Sequence, residues 1–216
     1  LGGGSGTGSF FMDDDTWPAQ YNNVPMMADW GRSQLYIHRV TPDGASYTQK
    51  EEPFIKLAQI TDVDVDASGR AYLSAWDGAG YSGNPAKGFV VRAVPKNWKY
   101  KAFPDIKKLS VSKLVNLLKS GSGVARLAAQ QELLTRPSQK VIKPVWKIVA
   151  DKKLPLAVRV AGMYTYAQAT GSTGTENLLQ LTSENEMREF ALRALADRKP
   201  NLNAVPIERF LRGLKD

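Results

Sequence analysis

Residues 61–78 read TDVDVDASGRAYLSAWDG. Three aspartates on alternate positions could hold a hard cation, act as catalytic carboxylates, or close a turn. A calcium loop of the EF-hand kind needs Gly at its sixth position and Glu at its twelfth. Counted from Asp62, those positions hold Ala67 and Leu73, so the calcium reading fails on spacing. The alternation predicts two strands instead. Val63 and Val65 share one face while Asp62, Asp64 and Asp66 share the other. After Asp66-Ala67-Ser68-Gly69, the residues Ala71, Leu73 and Ala75 face one way and Tyr72, Ser74 and Trp76 the other. Asp at the first position and Gly at the fourth fit a type I turn that closes a hairpin. Asp62 and Asp64 keep a second reading, as pocket-lining groups at a strand start.

Four further places could do chemistry, and each has a plainer reading. Arg32 follows Asp29-Trp30-Gly31 at a turn; it could meet an anionic ligand or pair with a neighbouring aspartate on the surface. His38, the one histidine of the chain, could be a general base or a packing residue within a strand. Asp13, Asp14 and Asp15 could bind a cation or be solvated loop charge. Trp76 and Tyr81, in AWDGAGYSGNP, could form a flat platform for a sugar or pack at a sheet edge. The chain has no cysteine, which excludes disulfides, thiolate metal sites, a cysteine nucleophile and covalent haem attachment within it. One histidine excludes a multi-histidine metal site.

The elements that must position these residues fall into two regimes. The chain has 216 residues and a formal net charge of +8. Residues 1–100 carry 9 Lys+Arg against 11 Asp+Glu, and residues 101–216 carry 20 against 10. Such asymmetry predicts two units with different surfaces. The first is rich in Gly, Asp, Pro and aromatics and its apolar residues alternate. It predicts strands over Leu35–Val40, Ser46–Gln49 and Gly88–Val94, with turns at Trp30–Ser33 and Pro42-Asp43-Gly44. From about Phe103 the apolar period becomes helical. Ser110 is the expected N-cap of the first helix, Gly121 its stop, and Pro137, Pro155, Gly171 and Pro200 punctuate those that follow. No stretch of about 18 apolar residues occurs, and no basic segment precedes an apolar one as in a signal peptide.

The helices repeat. VARLAAQQELL, AVRVAGMYTYA and EMREFALRALA align on Arg126, Arg159 and Arg188, spaced 33 and 29 residues apart. Each arginine is followed three residues later by a small residue, Ala129, Gly162 or Ala191, which lets a neighbouring helix come close. Paired helices at this spacing predict an α-solenoid, and the unpartnered last helix predicts that the natural chain continues past Asp216. The aligned arginines are expected to bond carbonyls or carboxylates between helices. Lysines at 96, 99, 101, 107 and 108, and at 140, 143, 147, 152 and 153, make the second half basic. They lack the aromatic interleaving of single-strand nucleic-acid binders, so an acidic protein or a polysaccharide is a better-fitting partner than nucleic acid, and the plainer reading is unspecialised basic surface.

Three stretches carry a resemblance: ADWGR (Ala28–Arg32), TPDG (Thr41–Gly44) and TDVDVDASGRAY (Thr61–Tyr72). With GFVVRAV, they resemble the last blades of a glucose/sorbosone dehydrogenase-like β-propeller, in particular of the large secreted planctomycete and verrucomicrobial type. There the propeller is followed by HEAT-type repeats, which the helices from Ser110 onward resemble. The resemblance implies a partial β-propeller followed by a HEAT-like α-solenoid, with 1–98 as propeller blades, 99–109 as a linker and 110–216 as helical repeats. It implies a periplasmic or extracellular location, pyrroloquinoline quinone and calcium as cofactors, and the missing blades, from the same or another chain, as partners. The implied function is that of a fragment of a sugar or alcohol oxidoreductase with a helical interaction arm. Arg32, Asp62, Trp76 and Tyr81 are then its pocket contributors, and most catalytic residues lie outside the chain. The alternative is a non-catalytic protein- or polysaccharide-binding module of a larger extracellular assembly. Residues 1–100 alone, with open strand edges, are not expected to be a stable monomer.

Overall fold

A computed structural model describes residues 4–78, 82 and 84–213. It divides into two compact units: Leu1–Phe103 with Gly121–Val124, and Pro104–Ser120 with Ala125–Asp216.

The first unit contains two antiparallel sheets. Strands β1 (Gly6–Met12), β2 (Val24–Asp29), β3 (Gln34–Asp43) and β4 (Ser46–Lys56) form one, in chain order; β5 (Ile60–Val65), β6 (Ala71–Trp76) and β7 (Gly88–Ala93) form the other. Alternate residues point inward, as the period of two requires. Met12, Met26, Leu35 and Ile37 of the first sheet and Ile60, Val63 and Leu73 of the second join one buried cluster. The sheets meet where β1 crosses β5. The Thr7 hydroxyl donates to the Ile60 carbonyl at 2.8 Å. A Cβ on Gly8 would stand 2.6 Å from Asp62 Cα and 2.7 Å from Val63 N, so only glycine allows this approach.

The second unit is helical: α1 (Val111–Leu117), α2 (Gly123–Leu134), α3 (Ser138–Ala150), α4 (Leu156–Thr170), α5 (Thr175–Leu181), α6 (Asn185–Ala196), α7 (Lys199–Leu202) and α8 (Ile207–Gly213). Ser110 caps α1, its hydroxyl accepting from Lys113 N at 3.4 Å. Leu114, Leu118, Leu133, Val145, Met163, Met187 and Leu195 are among the residues of one shared core. Gly162 lies where α4 meets α3, and a Cβ there would stand 3.2 Å from Ile148 Cγ2 and 3.3 Å from Val149 Cγ2. Among the described residues, no helix is long and apolar enough to cross a membrane.

The expected fold class is overturned. In place of a partial β-propeller followed by a HEAT-like α-solenoid, the chain shows a different arrangement. It is mixed, with small antiparallel sheets of four and three strands, then helices, and the sheets show no propeller closure. Hairpin spacing reports that antiparallel strands are present, but not how many sheets they form or whether those close. Local expectations shift as well. Strand β4 runs to Lys56 rather than ending near Gln49, because beyond the other strands β3 and β4 continue as a ribbon pinned by polar pairs such as Arg39–Glu52 at 3.0 Å. Pro42 sits within β3, opposite Tyr47, rather than in the turn. Strand β1 was hidden by its glycine and serine content, which imitates a loop.

Candidate functional site

In the first unit, the aspartate-rich stretch is a hairpin. Asp66 is its hub. Its Oδ1 accepts from Ser68 N at 2.8 Å, Ser68 Oγ at 2.7 Å and Arg70 N at 3.1 Å, and its Oδ2 accepts from Arg70 Nε at 2.7 Å. Burial alone would raise the Asp66 pKa, but the bonds from Ser68 and Arg70 outweigh it and hold the carboxyl below its ordinary value. Gly69 takes φ +79°, the left-handed region that glycine enters without strain. Two tryptophans clasp the turn: Trp17 Nε1 donates to the Gly69 carbonyl at 2.7 Å and Trp98 Nε1 to the Ser68 carbonyl at 2.8 Å. The Arg70 guanidinium lies 4.8 Å from the Tyr100 ring centroid, 5.8 Å from Tyr72 and 6.0 Å from Trp98. Sequence reasoning missed this cluster, because Trp98 and Tyr100 stand in a lysine-rich stretch remote from the hairpin in sequence. An open cleft of about 550 Å³ adjoins it, between residues 15–18 and 95–99. The indole N–H groups of its two tryptophans are both committed to the turn.

The candidate site residues lie on several elements of the first unit. Arg32 pairs with Asp29 at 3.7 Å and Glu51 at 3.8 Å, which is the plainer of its two readings. Burial would raise the Asp29 pKa, yet backbone N–H groups of Ser5 and Arg32 and the Arg32 charge hold it below the usual carboxylate value. Asp62 and Asp64 are exposed on β5, and Asp62 accepts from the next backbone N–H, Val63 N, at 2.9 Å. Trp76 ends β6 beside Gly88, and Tyr81 lies outside the described residues. Neither Arg32, Asp62 nor Trp76 lines the cleft above or the groove below. His38 sits on the β3–β4 ribbon with Nδ1 2.7 Å from Gln49 Oε1, instead of packing between blades. In the Asp13–Asp15 run, Asp14 is buried and caps its own loop, accepting from Thr16 N at 3.0 Å and Thr16 Oγ1 at 2.6 Å.

Among the described residues, no group of three or more His, Cys, Asp or Glu is arranged to hold a metal ion.

The helical unit carries a different feature. Lys143 and Lys147 lie one turn apart on α3, and with Lys119 after α1 they line a groove of about 360 Å³. Val115, Pro144, Ile148 and Leu154 supply its apolar lining, and Asp151 is its one carboxylate. Asp151 Oδ1 already accepts from Lys153 N at 3.0 Å. Some cations of the unit are paired: Arg136 with Glu132 at 2.6 Å, Arg193 with Glu189 at 2.7 Å, Lys108 with Asp105 at 3.1 Å, and both Arg159 and Lys152 with Glu184. No ion pair of the described residues engages Lys119, Lys143 or Lys147. The sequence marked Lys143 and Lys147 as basic. It did not show that α1 brings Lys119 beside them, or that the floor between them is apolar.

The aligned arginines bond to carbonyls near helix ends. Arg126 donates to the Ser120 carbonyl at 2.7 Å, Arg159 to Val149 at 2.8 Å and Arg188 to Thr182 at 3.1 Å. Each satisfies a carbonyl at or just past the end of the preceding helix, where acceptors are orphaned and the helix dipole is negative.

Comparison with known proteins returned no match: no family model, curated protein or solved structure is similar to this chain.

Proposed function

We propose that this chain is a non-catalytic binding module whose helical unit holds an anionic partner in the groove between α1 and α3. One observation carries the reading: three lysines line one concave surface against a single carboxylate, Asp151, and no ion pair of the described residues engages them. Like charges gathered in a concavity repel one another and raise the local positive potential. An anionic partner relieves that repulsion and gains charge-assisted bonds.

The test is retention of the whole chain on an immobilised polyanion as salt is raised. Screening at about 0.15 M salt has a range of about 8 Å, so retention should fall steeply with ionic strength. The double charge reversal Lys143→Glu/Lys147→Glu should elute early with an unchanged circular dichroism spectrum. Equal retention of the reversed variant would place binding elsewhere and sink the proposal.

A further inference from the structure

Resting on that reading, we infer that the groove's occupant is an acidic polypeptide segment carrying aliphatic side chains, inserted between α1 and α3. Three features of the groove select it. First, the lining between the lysines is aliphatic: Val115, Pro144, Ile148 and Leu154. It contains no aromatic ring, the surface on which bases stack and on which a sugar ring would lie. Ile148 is 3% exposed, and Val115, Pro144 and Leu154 are half-buried, so an apolar side chain entering there meets apolar surface and leaves water behind.

Second, its cations are all lysines. Lysine is a compact point charge on a flexible stem, which suits single carboxylates spaced along a chain. Planar, bidentate recognition of phosphate favours arginine. The arginines of this unit named above are committed to helix-end carbonyls and to carboxylates.

Third, Asp151 stands in the lining, one turn beyond Lys147. A uniformly charged polymer laid along the groove would meet that carboxylate and be repelled. A polypeptide can place its acidic residues against the lysines and an uncharged residue against Asp151. A volume of about 360 Å³ lies in the range of about 300–1,000 Å³ typical of ligand clefts, which suits a few side chains of one segment rather than a folded domain.

The test titrates the whole chain with three probes at one ionic strength: a short synthetic peptide of interspersed glutamates and leucines, an oligoglutamate of equal charge, and low-mass dextran sulfate. The glutamate–leucine peptide should bind about tenfold tighter than either of the others, as burial of one leucine permits. Leu154→Ser should reduce that advantage of the mixed peptide over oligoglutamate. Because Leu154 also packs against the core, a second readout uses the unaltered chain. Leucine methyls of the peptide should show nuclear Overhauser contacts to methyls of Val115, Ile148 or Leu154. If oligoglutamate or dextran sulfate binds as tightly as the mixed peptide, or the methyl contacts are absent, the polypeptide inference is overturned while the anion-binding reading stands. If none of the three binds, both fall.

Discussion

Arg159 and Glu184 form the most buried ion pair of the helical unit's described contacts. Arg159 is 2% exposed; its Nη2 lies 2.7 Å from Glu184 Oε2, and its Nε donates to the Val149 carbonyl at 2.8 Å. One side chain thus closes the end of α3 and ties it to the residue preceding α6. Burial would raise the Glu184 pKa, but the bond and charge of Arg159, aided by Lys152, hold it below the ordinary value.

Removing this arginine leaves a carboxylate and a helix-end carbonyl short of partners. Arg159→Met should therefore cost about 3–5 kcal/mol, the range for breaking a buried pair. Arg188→Met, at a half-buried site whose bond to Thr182 is 3.1 Å, should cost about 1 kcal/mol. Urea unfolding of the whole chain measures both, and equal losses would contradict the dependence on burial.

The Asp66 turn makes stability depend on acid. Its folded pKa lies below the unfolded value of 3.8, so its contribution is fully present above that value and is lost as pH falls through the folded pKa. Asp66→Asn should lower stability at neutral pH by about 1–2 kcal/mol. It should also flatten the decline below about pH 4. Unfolding midpoints of both proteins across that range decide the matter; parallel declines would show that Asp66 does not contribute to the slope.

Gly8 sets the spacing between β1 and β5. Gly8→Val places a side chain against the Asp62 backbone and should cost about 2–3 kcal/mol. Gly6→Val is the control: a Cβ there meets nothing within 4 Å, so its cost should stay within about 0.5 kcal/mol. Thermal unfolding of the pair checks this, and similar midpoints would deny the close approach.

Gly162→Leu probes the helical counterpart. Its side chain would push α4 off Ile148 and Val149 of α3 and should cost about 1–3 kcal/mol, despite leucine's better helix propensity. A stabilised variant, measured by denaturant midpoint, would mean that the helices yield without loss.

Much of this was legible in short windows. The hairpin at Asp66–Gly69 followed from alternation and turn chemistry, since both are set by neighbouring residues. Helix starts at Ser110 and Pro155 and the stop at Gly171 followed for the same reason. The spacing of Arg126, Arg159 and Arg188 pointed to bonds between helices, because a repeated role leaves a repeated residue. Resemblance misled where it extended local words such as TPDG to the last blades of a partial propeller, for Pro42 lies inside a strand and the strands form two small sheets.

By itself, then, the sequence determined the two regimes of backbone period, the turn and cap residues, the small residues at close approaches and the basic character of the second half. All of these depend on residues near one another in the chain. Only the tertiary structure decided that Trp17 and Trp98 clasp one turn, that Arg32 is paired with Asp29 and Glu51, and that Lys119 joins Lys143 and Lys147 around an apolar floor. Those neighbours come from separate elements, and their meeting depends on how side chains pack across the space between them, which no short window of sequence encodes.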